Sequence, residues 1–129
     1  MKKLFLCLFL GITLAFCGCG SETSMEEINE LYYDISILVD ELGETTAITE
    51  KDVYKEIREE SKEALTNVEN IKGHDVIKSK LEEICKNINE SCKYGYETDI
   101  NISKDEWDKS TEYYNKAYDT LEEVENMLD

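Results

Sequence analysis

Proline is absent from the 129 residues, glycine occurs six times, and histidine and tryptophan occur once each. Such a chain lacks the turn punctuation of a many-stranded β-fold and the composition of a collagen or a proline-rich linker. Basic residues are also scarce, with 14 Lys and Arg against 30 Asp and Glu and a net charge of −16. That balance argues against DNA or RNA as a direct partner, because affinity for a phosphate backbone comes from Lys and Arg displacing counterions. No Gly-x-Ser-x-Gly elbow, phosphate loop or metalloprotease motif occurs, so neither an enzyme nor a cofactor is expected. What is present is 41% hydrophobic and 34% charged residues in a length suited to one small domain, which predicts an all-α fold of long amphipathic helices.

The N-terminus differs in kind from the rest. Met1-Lys2-Lys3 is a short basic segment, and Leu4 to Phe16 is apolar apart from Gly11 and Thr13. These are the n- and h-regions of a signal peptide. The run of about 13 residues falls short of the roughly 20 that a helix needs to cross a bilayer, so a permanent span is the weaker reading.

Phe16-Cys17-Gly18-Cys19-Gly20-Ser21 resembles the lipobox of bacterial lipoproteins, in which a small residue precedes a cysteine that is diacylated and becomes the new N-terminus. Cys19 places Gly18 before the cut and is favoured; Cys17 has the better Leu14-Ala15 pair but puts the bulky Phe16 there. Cleavage before Cys19 divides the chain into a signal peptide (1–18), a lipid-anchored tether (19–23) and an acidic helical domain (24–129). It also removes Lys2 and Lys3, which makes the remainder two charges more negative. Gly20 to Thr23 span at most about 14 Å, so the domain is expected close to the bilayer. Its charge opposes contact with anionic headgroups, and the lipid alone is the expected anchor, on the outer face of the cytoplasmic membrane.

Four helical stretches follow. Ser24 and Glu27 form a capping box, Ile28, Leu31/Tyr32, Ile35, Leu38/Val39 and Leu42 recur at helical spacing, and Gly43 supplies the left-handed stop. A second stretch is capped by Thr49, stapled by Ile48 and Val53, and runs to about Lys72 with Ile57, Ala64, Leu65, Val68 and Ile71 as its stripe; Gly73 closes it. The third begins near Asp75 and carries the clearest seam, Ile77, Leu81, Ile84, Ile88 and Cys92, with Val76 and Cys85 on its flank, ending near Tyr94-Gly95-Tyr96. Ser103 and Glu106 form a second capping box, and Trp107, Tyr114, Tyr118, Leu121, Val124 and Leu128 line a last helix of about 25 residues. Short connections predict an up-down bundle of three to four antiparallel helices, three if the first lies detached near the membrane.

The layout, with Leu65-x-x-Val68-x-x-Ile71 leading into Leu81-x-x-Ile84-x-x-x-Ile88 behind a lipobox, resembles small helical lipoproteins of low-GC Gram-positive bacteria. The resemblance implies a lipid-anchored, extracytoplasmic helical protein and assigns no activity.

Several residues invite a chemical reading. Cys85 and Cys92 are about 10.5 Å apart along one helix, too far for a bridge within it, and read as buried free thiols, with a bridge across a helix end or to another chain as the alternative. A lone histidine and a seven-residue cysteine spacing do not make a zinc site, and His74 reads as a solvated turn residue. Gly95 to Glu106 resembles a degenerate EF-hand loop with Glu97, Asp99 and Glu106 as weak ligands, but Gly95 stands at the first ligand position and Ile100 replaces the required glycine. Eight tyrosines exceed what one buried stripe holds, and Tyr32, Tyr33 and Tyr113 are candidates for a partner-binding surface. The leading expectation is a non-enzymatic interaction module for an extracytoplasmic protein; the alternative is a lipoprotein that binds a small ligand or cation. Acidic residues converging on a pocket would favour the alternative, and an exposed aromatic patch would favour a protein partner.

Overall fold

The computed structural model describes residues 21–45, 51–96 and 104–128. The expected signal peptide, both lipidation candidates Cys17 and Cys19, the expected Ile48/Thr49 helix start and Ser103 cap, and Glu97 and Asp99 lie outside them. Four helices follow in order: α1 (Met25–Glu44), α2 (Lys51–Glu69), α3 (Asp75–Tyr96) and α4 (Lys104–Leu128). No strand occurs among the described residues.

Side-chain pairs fix the helix directions. Between α3 and α4, Lys80 meets Glu123 and Ser91 meets Ser110. Between α2 and α3, Lys78 reaches Ile71 and Arg58 reaches Asn89; between α1 and α2, Thr45 meets Tyr54, and Thr23 meets Lys72. In each case one number rises as the other falls, so neighbours run antiparallel. α3 packs along α2 and α4, and α1 contacts all three, giving an up-down four-helix bundle.

The pattern of apolar residues accounts for the core. On α3, Leu81, Ile84, Cys85, Ile88 and Cys92 are buried in register, while Val76 on the flank is exposed. On α1, Ile28, Leu31, Ile35, Leu38, Val39 and Leu42 belong to the same cluster. Burying a side chain of this size is worth about 1.5–3 kcal/mol, so α1 belongs to the bundle and the detached alternative falls. Cys85 and Cys92 are buried free thiols, and burial pushes both up to about 12, which keeps them protonated.

The Ser24 capping box forms: the Glu27 N–H donates to Ser24 Oγ at 3.2 Å, and the Ser24 N–H donates to Glu27 Oε2 at 2.9 Å. Both helix ends that the glycines were expected to set differ. α1 runs through Gly43, which is not left-handed, and stops where the Thr45 hydroxyl donates to the Glu41 carbonyl at 2.7 Å, satisfying a terminal carbonyl without a glycine. α2 ends at Glu69 rather than Lys72, because the segment before α1 lies against the following turn. The Thr23 N–H donates to the Lys72 carbonyl at 2.9 Å, and the Lys72 N–H donates to Thr23 Oγ1 at 2.8 Å. The chain from Asn70 tightens into i→i−3 bonds, then turns through Gly73 (φ 75) and His74 (φ 51).

His74 is therefore no solvated turn residue. Its Nε2 lies 2.8 Å from the Thr23 carbonyl, so that nitrogen carries the proton it donates, and Glu22 stands 3.9 Å away. Thr23→Val leaves the Lys72 N–H without its acceptor. The expected cost is about 1 kcal/mol in urea unfolding, with faster amide exchange confined to residues 70–74.

Candidate functional site

At the end of the bundle opposite Thr23, α1 ends, α2 begins, α3 ends and α4 begins. Ser91 and Ser110 let α3 and α4 approach closely there. Ser91 Oγ donates to the Ser110 carbonyl at 2.7 Å, Ser110 Oγ donates to the Ser91 carbonyl at 2.9 Å, and the hydroxyls are 3.2 Å apart. Buried Tyr54 ties the start of α2 to the end of α1 by donating to the Thr45 carbonyl at 3.3 Å. Above this floor opens a cleft of about 310 Å³, walled by Trp107 and Tyr114 and rimmed by Glu44 and Thr111. No Lys, Arg or His is among the described residues that line it.

Gly43 shapes one wall. A Cβ there would stand 2.5 Å from the Tyr114 hydroxyl and 3.0 Å from its Cζ, so the absent side chain is what lets the Tyr114 ring lie against α1. Gly43→Ala gains helix propensity but must displace that ring. The expected net is a loss of about 1 kcal/mol, reversed in Gly43→Ala/Tyr114→Phe, where the nearest clashing atom is gone; paired urea melts measure both.

From the cleft an aromatic ridge runs along α4. Trp107, Tyr114 and Tyr118 are spaced seven and four apart, on one side of the helix. The Tyr114 and Tyr118 rings are 6.3 Å apart, and Trp107 and Tyr118 remain 39% and 42% exposed. Burial, with Tyr118 and Asp40 nearby, raises the Tyr114 pKa and keeps its hydroxyl protonated.

The structure does not bring Tyr32, Tyr33 and Tyr113 together. Tyr32 is half-buried against the core, and Tyr33 stands 60% exposed on the outside of α1. Tyr113 stacks flat on Tyr94 with centroids 5.9 Å apart, on the α3 side of α4. Lys116 lies over the Tyr113 ring at 5.0 Å, and Lys109 lies over Tyr94 at 5.4 Å. Large apolar residues alone predict Trp107 and Tyr118 on the buried stripe of α4, but both stand exposed. Ser110, Ala117, Thr120, Leu121 and Val124 are the buried positions of α4, and the small ones among them shift its packing face away from Trp107 and Tyr118, while Tyr114 packs partly against the core.

Acidic residues gather elsewhere, between α1 and α2. Asp34 is 5% exposed; burial first, then Glu30, raises its pKa to about 6. Glu60 is half-buried, and burial, then Glu56, Glu41 and Glu63, raises it to about 7. Glu106 sits half-buried in the first turn of α4. Among the described residues, no three His, Cys, Asp or Glu side chains are grouped so as to hold a metal ion, and no helix is long and apolar enough to cross a membrane. No protein-family model, curated protein or solved structure matches this chain.

Proposed function

We propose that the chain is a lipid-anchored extracytoplasmic docking protein, fixed to the membrane through Cys19 and binding a protein partner through α4. The observation that carries this reading is the aromatic ridge of α4, where exposed Trp107 and Tyr118 flank a partly buried Tyr114 and lead into the cleft. Large, stiff aromatic side chains give contact area with little rotamer entropy to lose, which suits them to a docking surface.

Its position supports the same reading. Thr23 is pinned to the α2–α3 turn by three hydrogen bonds, so only Gly20 to Glu22 would separate a lipid on Cys19 from that turn. With the lipid at Cys19, that turn faces the bilayer. The ridge and cleft then stand up to about 30 Å further out, the length of the 20-residue α1, toward other extracytoplasmic proteins. The lipid would concentrate the domain at the membrane and turn a modest surface into an effective one.

The test feeds an alkyne-bearing palmitate to bacteria expressing the full chain and follows membrane retention beside cross-linked capture. Wild type and Cys17→Ala are expected to carry label and stay with membranes, whereas Cys19→Ala loses both. A discrete cross-linked partner is expected from wild type and not from Trp107→Ser/Tyr118→Ser. Label surviving in the double replacement of Cys17 and Cys19, or a partner indifferent to the ridge variants, would overturn the respective half of the proposal.

A further inference from the structure

We infer that the cleft beside Trp107 and Tyr114 takes the cationic side chain of a basic polypeptide segment, an inference that rests on the docking reading above. Three aromatic side chains, Tyr54, Trp107 and Tyr114, line one small space, with acidic Glu44 also among its lining residues. Asp40 approaches closely enough to act on the Tyr114 hydroxyl. An aromatic face carries negative charge density and attracts a guanidinium or ammonium, more strongly as the group leaves water.

The chain already makes this pairing on the other side of α4. Tyr94 and Tyr113 each have a lysine over the ring, Lys109 and Lys116. Among the described residues, no lysine or arginine sits over Trp107, Tyr114 or Tyr118. The ridge therefore presents the same kind of ring with the cation left to come from outside.

Size and charge narrow the occupant. A space of about 310 Å³ stands at the bottom of the range for ligand sites, about 300–1,000 Å³, so it suits one long side chain rather than a whole cofactor. A chain of net charge −16 repels a second copy, a nucleic acid and an anionic lipid surface, and draws in a basic segment. Arginine fits best, because its planar guanidinium can stack on an aromatic face while donating to a carboxylate.

Trp107 is the only tryptophan, so its emission reports on this cleft alone. The full chain in neutral detergent is titrated with acetyl-(Ala-Leu-Arg)4-amide and with the same peptide carrying Gln for Arg. The Arg peptide is expected to shift Trp107 emission and saturate, about tenfold more weakly at 300 mM than at 30 mM NaCl. Thr111→Lys, which puts a cation on the exposed rim without touching the core, and Glu44→Gln are each expected to weaken it at least fivefold, with Val76→Ser unchanged.

Equal binding of the Gln peptide would overturn the cationic occupant and leave an apolar groove. So would a concentration-dependent dimer, abolished by Thr111→Lys, which would make a second copy the occupant. If the Arg peptide fails while cross-linked capture still depends on Trp107 and Tyr118, this inference falls and the docking reading stands. If both fail, both fall.

Discussion

Asp34→Asn is expected to raise the melting temperature at pH 8 by about 10 °C, a large gain from removing one charge. Asp34 lies in the seam between α1 and α2, 5% exposed, on a helix with no lysine or arginine of its own. Its pKa stands near 6 against an ordinary 3.8, raised by burial and then by Glu30. A carboxyl whose folded pKa is raised binds more protons folded than unfolded, so its ionisation costs stability as pH climbs. The penalty begins near pH 3.8, grows through pH 6 and is complete above it. A shift of that size corresponds to about 2 kcal/mol at pH 8, after allowance for residual solvent access.

The gain in the asparagine variant should therefore be full at pH 8, shrink below pH 6 and be nearly gone at about pH 4. Thermal melts of both proteins across that range measure it. A gain independent of pH would mean that Asn packs better rather than that the charge was costly. Glu60, facing Glu41 across the same seam and raised to about 7, adds a component that falls away on acidification between about pH 7 and pH 4.5. It is half-exposed, so salt should weaken its share and leave that of Asp34 largely intact.

Asn67→Leu is expected to stabilise the bundle by about 2 kcal/mol. Asn67 lies seven residues beyond Glu60, on the same α1-facing side of α2, and is 1% exposed. Both its amide oxygen and its amide nitrogen are buried without a hydrogen-bond partner among the described residues. Leaving such a group unmade costs about 1–3 kcal/mol, and leucine keeps the branched outline of the side chain, though with more bulk, and has nothing to satisfy. Urea unfolding gives the measurement, with Asn67→Asp as the contrast: a carboxylate there should cost several kcal/mol at pH 8. Destabilisation by leucine would mean that the amide is engaged, by an ordered water or by an atom outside the described residues.

Where local chemistry decides structure, the sequence was legible. Ser24 and Glu27 form the capping box their spacing implies, and Leu81, Ile84, Ile88 and Cys92 are all buried along α3. The helix ends were not, because contacts from far along the chain set them. Gly43 stays helical with Tyr114 of α4 lying against it, and α2 stops early where Thr23, 49 residues before Lys72, takes the hydrogen bonds of its last turn.

The site shows the same division. Its aromatic residues were visible, but their exposure depends on Ser110 and Ala117 turning α4, and small residues carry little weight in a hydrophobic pattern. Tyr54, beside Val53, is buried with its hydroxyl donating to the Thr45 carbonyl at the end of α1, a partner outside its own helix that local pattern does not show. The proton-linked seam was invisible for a related reason: acidic residues on two helices look like two solvated faces until the helices pair.

The measurement that bears most directly on the proposed docking function is photo-cross-linking in living cells, with a photoreactive phenylalanine analogue in place of Tyr118 in the full chain, and in place of exposed Val76 as the control. The expected result is one reproducible adduct from position 118, to a basic extracytoplasmic segment, absent from position 76 and lost when Trp107 is also replaced by serine. The same adducts from both positions, or none from position 118 in a folded, membrane-retained chain, would contradict a partner surface on α4.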